Sequence, residues 1–273
     1  MSPTRRTLLG AALGGTAAAA VGLPAPSALA ASWQPKWSPS ASGDGLGAFE
    51  TVEDDRADSH PAGHPHIFAT GSNWRFNMHM VDRDTSTDRQ RQEVTGLRTS
   101  GSSYLKWTQG QTWRVTYSMY IPASLKATTT FTHIMQMKQP GNGTSPIVVQ
   151  SLRRDGGTSR ASEAERGGGK QSIELKLATD DILVGRTDLE PLHDTWTDVD
   201  FQIKVGNGSA GSVRWILKSG STTVVDAQKT GVDTFLADRV RPKWGIYRSL
   251  GDTSGSLEDT YLLLSNLRGY QLV

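Results

Sequence analysis

The sequence predicts an all-β domain, a β-jelly roll made of two stacked antiparallel sheets. Three observations carry that reading. Apolar and polar residues alternate with a period of two in one segment after another, the spacing that sends successive side chains to opposite faces of a strand. Turn signals such as Gly141-Asn-Gly143, Gly206-Asn-Gly208, Ser219-Gly220-Ser221 and Gly251-Asp252 separate many of these segments. No stretch after residue 31 sustains an amphipathic helical period for three turns, and many short strands divided by turns indicate a sandwich or jelly roll.

At the N-terminus, Arg5-Arg6 precede an apolar stretch rich in Ala and Gly that closes on Ala28-Leu29-Ala30. A twin arginine, a mild apolar region and small residues at the cleavage position read as a twin-arginine export signal over residues 1–31. The apolar run is too short and too interrupted by proline to cross a bilayer. The expected product is a secreted, extracellular monomer with no membrane segment in its mature form. Residues 32–46, rich in Pro, Ser and Gly, read as a linker or an N-terminal arm laid on the domain. Residues 47–273 read as the domain itself.

Within that domain the strand pattern appears near residues 74–81 and 90–97. Over 112–121, Trp113, Val115, Tyr117, Met119 and Ile121 share one face. The pattern returns near 129–138, 146–153 and 171–178. Over 196–205, Thr197, Val199, Phe201, Ile203 and Val205 oppose Asp198, Asp200, Gln202 and Lys204. The last runs lie near 211–218, 240–248 and 259–271. No internal repeat stands out, which disfavours a propeller or a solenoid.

Charge constrains partners only weakly. The chain has 29 Lys and Arg against 27 Asp and Glu, and Arg5 with Arg6 makes up the whole excess. Beyond the signal the chain is formally neutral, which disfavours a nucleic-acid partner. Any preference for a polyanion must come from a local cluster of cations. There is no cysteine, so stability owes nothing to disulfides.

Three segments place polar residues in alternation on strands that otherwise look buried. Arg89, Arg91 and Glu93 share one face of their run, Gln136 and Lys138 share another, and Lys243, Gly245 and Tyr247 a third. Each alone suits a solvated outer face. Together they describe a cleft lined with cations, an amide and a phenol. On a regular strand His133 points away from Gln136, with Met135 and Met137.

The same segments carry a resemblance. Arg91-Gln92-Glu93-Val94 resembles the Arg-x-Glu-Leu strand motif of jelly-roll alginate lyases and their relatives. Lys243-Trp244-Gly245-Ile246-Tyr247 resembles the Lys-x-Gly-x-Tyr motif near the end of the same fold. His133-Ile-Met-Gln136-Met-Lys138 sits where alginate lyases carry Gln-Ile-His, and is closer to the His-Ile-x-Gln-x-Lys style of the glucuronan lyase family. Order and spacing also fit the heparin-lyase-I-like group, and the likeness spans roughly residues 48–273.

The resemblance implies a concanavalin A-like jelly roll that cuts a uronic-acid polymer by β-elimination. Such lysis removes the C5 proton beside a carboxylate and expels the O4 glycosyl group, leaving an unsaturated uronate end. The carboxylate must be neutralised first, and preorganised donors aimed at developing charge are worth several kcal/mol. By resemblance, Gln136 and Arg91 neutralise it, and Tyr247 protonates O4. Lys138, Lys243 and Glu93 bind substrate. The base stays open among His133, His79 and Tyr247 acting alone, because Lys138 stands where alginate lyases carry a histidine. The implied polymer is β-1,4-glucuronan first, with alginate or a heparin-type chain as alternatives.

Other signals are weaker. His60, His64 and His66 lie close together, but in a loop whose spacing fits no standard zinc pattern. No cofactor is required by the implied chemistry, and a structural calcium would suit related jelly rolls, although no Asp-rich loop identifies its ligands. Residues 155–169 read as a plain loop or as a flap over the cleft. Two rival functions share the fold. A glycoside hydrolase needs two carboxyl groups flanking the bond, and the Glu-x-Asp-x-x-Glu motif of laminarinase-type jelly rolls is missing. A non-catalytic lectin-like module would also present a cleft, but needs no phenol beside Lys243 and Gln136.

Overall fold

A computed structural model describes residues 31–60, 64–141, 145–154 and 170–273. The twin-arginine segment and the 155–169 loop lie outside the described residues. Two large antiparallel sheets face each other, as the alternation predicts. One is built in the order β15 (Thr222–Val232), β14 (Gly211–Ser219), β13 (Trp196–Lys204), β8 (Thr112–Tyr120), β17 (Thr260–Leu272), β4 (Asn73–Met78) and β3 (Ile67–Thr70), with β1 (Trp33–Trp37) also on β17. The other runs β12 (Ile182–Asp188), β11 (Gln171–Leu177), β10 (Val148–Arg154), β9 (Thr132–Lys138), β16 (Arg241–Ser249), β5 (Arg89–Thr95) and β2 (Thr51–Glu53). A small hairpin joins β6 (Arg98–Ser100) to β7 (Ser103–Tyr104).

The core lies between the sheets and is supplied by one face of each strand. On β8 and β13 the buried residues include Trp113, Val115, Tyr117, Met119, Val199, Phe201 and Ile203, the apolar faces read from the sequence. From the facing sheet come Val94, Met135, Met137, Trp244 and Ile246. Trp244 is the centre of the aromatic packing. It stacks on Trp37 with ring centroids 6.2 Å apart and meets Tyr117 of the opposite sheet edge-on at 6.0 Å. Burial holds the Tyr117 phenol protonated, with its pKa raised, and its hydroxyl donates to Gln150 of the other sheet at 3.2 Å. Such satisfied polar contacts pin the register of one sheet on the other.

Strand β1 comes from the Pro- and Ser-rich segment at residues 32–46, where one helical turn, α1 (Ala41–Asp44), follows it. Its Trp37 is buried against Phe49 and Trp244. The strands without a clear sequence signal are short or lie at sheet edges. Edge strand β15 is largely exposed and edge strand β12 is half-buried along both faces, so neither has an apolar side to alternate.

Candidate active site

The outward faces of β5, β9 and β16 meet in one cleft of about 570 Å³. Register explains the convergence: Gln136 pairs with Lys243, Lys243 with Thr95, Gly245 with Glu93, and Tyr247 with both Arg91 and His133. The three sequence motifs thus become neighbours on adjacent strands. Six cations line the cleft (Arg56, Arg89, Arg91, Lys138, Arg241 and Lys243) against the two carboxylates of Glu53 and Asp84. A formally neutral domain therefore concentrates positive charge in this one place.

Tyr247 is held from two sides. Arg89 Nη1 donates to its phenol oxygen at 2.7 Å, and the Arg91 guanidinium lies over its ring, 3.8 Å from the centroid. Phe131 closes a third side, with ring centroids 4.9 Å apart. A phenol so clamped has little rotational freedom, which suits a group that must deliver a proton to a fixed point.

Beneath the cleft floor sits Glu93, fully buried. It accepts from Gln136 Nε2 and from Arg91 Nη1, the latter at 3.0 Å, and its Oε2 lies 3.1 Å from Lys243 Nζ. The expectation that Glu93 binds substrate is corrected here: a carboxylate with no exposed surface cannot touch a polymer. It orients the three residues that surround it.

Arg91 is also differently engaged than the resemblance implies. Its guanidinium pairs with Glu93, with Asp84 at 2.9 Å and with Glu53 at 3.6 Å, so its charge is already matched. Burial opposes the charged forms of Glu53 and Asp84. Lys243, Arg91 and Arg56 nevertheless hold Glu53 below its ordinary value, and Arg91, the Thr85 amide and Arg56 do the same for Asp84. Lys138 has no ion-pair or hydrogen-bond partner among the described residues. Burial, with Lys243 and Arg91 nearby, lowers its pKa.

His133 does not point away from Gln136. Met135 pairs with Gln150 and His133 with Ser151, so β9 holds one more residue than β10 at this point, and Ile134 is the extra. This β-bulge reverses the alternation and turns His133 to the cleft side of the sheet. Its ring lies 5.9 Å from that of Tyr247 and stacks on Phe131 at 5.0 Å, and its Nδ1 is 2.6 Å from Ser151 Oγ. Burial, with Arg153 and Arg91 close by, pushes its pKa down to about 3. The imidazole is therefore neutral near pH 7, with a ring nitrogen free of a proton, and only an anionic group brought beside it would raise its basicity.

Gly245 makes the neighbouring geometry possible. Its φ is +140°, and a Cβ there would lie 2.0 Å from the Gln92 carbonyl oxygen. Only glycine lets β16 approach β5 closely enough to set Lys243 and Tyr247 over Glu93.

His79, the other candidate base, is elsewhere. It follows β4 and packs against His60 and His66, with ring centroids 4.5 and 5.2 Å apart, and does not line the cleft. Functional neighbours that the motifs do not include are Arg89, Ser151, Glu53 and Asp84. Of these only Arg89 has a sequence signal, through its alternation with Arg91. No helix among the described residues is long and apolar enough to cross a membrane.

The comparisons with known proteins bear on this cleft. A family model described as polysaccharide lyase matches residues 34–264. The chain belongs to the polysaccharide lyase family. As a polysaccharide lyase it has the fold of an alginate lyase from Aplysia kurodai, with 12% identity, 86% of this chain and 98% of that one covered, and a TM-score of 0.52. An endo-1,3-β-glucanase from Streptomyces sioyaensis has the same fold, with 12% identity, 92% and 99% covered, and a TM-score of 0.50. An endo-β-1,4-glucuronan lyase from Trichoderma reesei aligns at 13% identity over 86% and 90%, with a TM-score of 0.46. No curated protein matches the chain in sequence. The fold is thus shared by an alginate lyase and a glucanase, and the family match makes this chain a lyase acting on polysaccharide.

Proposed function

We propose that this lyase cuts an anionic uronic-acid polymer by β-elimination, with β-1,4-glucuronan as its first substrate. One observation carries the reading: a clamped phenol, Tyr247, stands in a cleft lined by six cations, and the neutral imidazole of His133, which lines the adjoining pocket, lies 5.9 Å from its ring. β-Elimination next to a carboxylate needs a neutralised carboxylate, a base and an acid, and each has a candidate here.

Gln136 gives one N–H to Glu93, and its amide has a second to offer a substrate carboxylate. Lys138, which has no ion-pair or hydrogen-bond partner among the described residues, adds the cation. His133 takes the C5 proton. Tyr247 gives its proton to the departing O4, while Arg89 occupies another position on the phenol oxygen. Arg91, turned to Glu53, Asp84 and Glu93, acts by holding Tyr247. Glucuronan is preferred on the His133-x-x-Gln136-x-Lys138 pattern, and export through the twin-arginine route completes the reading.

Hydrolysis on the same fold is disfavoured by the cleft carboxylates. A hydrolase requires one carboxyl group kept protonated as the acid. Glu53 and Asp84 are both held below their ordinary values, and neither can donate near neutral pH.

The test is ultraviolet absorbance of the protein incubated separately with glucuronan, alginate and heparin, since lysis leaves an absorbing conjugated double bond. A rise with glucuronan that disappears in Tyr247→Phe and His133→Gln is the expected result. A rise with another polymer alone reassigns the substrate. No rise with any polymer, while one of them still binds, contradicts the lyase chemistry and leaves a lectin-like module.

A further inference from the structure

We propose that His60, His66, His79 and Asp82 bind one divalent cation of the zinc class, which fastens together two loops beside the cleft. The ligating atoms of these four side chains all lie within 4.8 Å of one another. They come from separate segments: His60 and His66 from the loop between β2 and β3, and His79 and Asp82 from the loop between β4 and β5. Sequence spacing therefore shows only half of the set. His64, in the same histidine-rich loop, is exposed and is not part of it.

The internal hydrogen bonds favour a cation. His66 Nδ1 lies 2.9 Å from Asp54 Oδ1 and its Nε2 lies 3.1 Å from Asp82 Oδ1. A neutral His66 that gives Nδ1–H to Asp54 leaves Nε2 and the Asp82 oxygen as two facing lone pairs, which a cation between them joins; a doubly protonated ring would instead donate to both carboxylates. A ligand histidine backed by a carboxylate on its other nitrogen is the usual outer arrangement of a metal site. The Nδ1 atoms of His60 and His79 are buried with no hydrogen-bond partner, and His79 Nδ1 lies 3.4 Å from Asp82 Oδ2. Tetrahedral zinc with bonds of 2.0–2.1 Å sets neighbouring ligand atoms about 3.3 Å apart, close to the 3.1 Å between His66 Nε2 and Asp82 Oδ1, and the other ligand atoms lie within 4.8 Å of one another. Three imidazoles and one carboxylate suit zinc and its neighbours, whereas calcium takes oxygen ligands.

The position gives the site a task. Arg56 and the Asp84–Ser86 stretch of these loops line the cleft, and Asp84 holds Arg91. Four side-chain ligands leave no open position, so the cation is structural.

The test is calorimetric titration of chelator-treated protein with zinc chloride and, in parallel, calcium chloride, together with thermal unfolding in each. Outer partners alone are worth about 10–100-fold in metal affinity, so loss of an inner ligand should cost at least about a hundredfold. We expect one zinc per chain, a raised unfolding midpoint, and no response to calcium. Both effects should vanish in His60→Ala and His79→Ala, whose side chains are only half-buried and whose folding circular dichroism checks, and should persist in His64→Ala. No zinc uptake, uptake unchanged in both variants, or uptake that depends on His64 instead would overturn the proposal. None of these readouts uses the cleft's chemistry, so failure here leaves the lyase reading untouched.

Discussion

Replacing Glu93 by glutamine removes one buried negative charge and almost no volume. In the native protein its two oxygens accept from Gln136 and Arg91 and lie 3.1 Å from Lys243 Nζ. Glutamine has one acceptor oxygen, so its amide N–H₂ must face either a cation or the Gln136 amide. Breaking a buried ion pair from one side typically costs about 3–5 kcal/mol. Here both cations keep other partners: Lys243 holds Glu53 at 2.5 Å, and Arg91 holds Asp84 at 2.9 Å. The expected loss is therefore smaller, about 2–3 kcal/mol, because neither charge is left without a counterion. At about 2–4 °C per kcal/mol for a domain of this size, the unfolding midpoint should fall by roughly 5–10 °C. The turnover number, measured where the variant is fully folded, should fall as well, by about tenfold or more, because Gln136 and Arg91 lose the group that aims them. Thermal unfolding and initial rates from one preparation decide the matter. A variant with an unchanged midpoint and turnover would refute the placement of Glu93 as the organiser of the cleft.

Gly245→Ala should destabilise the protein by more than about 3 kcal/mol, since strain at a positive φ and a backbone clash act together; a denaturant midpoint near that of the native protein would contradict this. His133 makes stability depend on pH. Its folded value is about 3, so between pH 6.5 and 3 the unfolded chain holds a proton that the folded one does not. That stability is complete above 6.5 and is lost as pH falls. Between pH 6.5 and 5 the native protein should lose about 2 kcal/mol more than His133→Gln, from the 1.36 kcal/mol per unit of one proton, and equal slopes in chemical denaturation would contradict it. Lys138→Ala should raise KM for an anionic polymer with little change in the turnover number and should weaken the salt dependence of KM, whereas an unchanged KM would remove Lys138 from the substrate path.

Much of this fold was legible because its central strands bury one face each. Trp113 to Met119 and Thr197 to Ile203 alternate without a break, and both runs became strands in the middle of a sheet. Edge strands β12 and β15 were not legible, because a strand that is wetted along its length, like β15, or half-buried on both faces, like β12, has no two-fold pattern to show. At the site, alternation correctly grouped Arg89 with Arg91, and Lys243 with Tyr247. It failed at His133, where a single extra residue, Ile134, reverses the faces. Bulges leave no mark in a period-two pattern, and here the bulge sits next to the reacting groups. Glu93 was read on the correct face but at the wrong depth, because alternation reports which side a residue takes and not what covers it. Asp84 and Glu53 reach the cleft from other segments, and His79 joins His60 and His66 in the same way. Long-range meetings of that kind follow from topology, which local spacing does not contain.

The central claim is that the cleft breaks its polymer without water. The most direct measurement is a digest of glucuronan in heavy-oxygen water, followed by mass spectrometry of the products. Elimination predicts fragments with no heavy oxygen at the new ends, one of each pair carrying the unsaturated uronate. Heavy oxygen at each new reducing end would mean hydrolysis and would contradict the account.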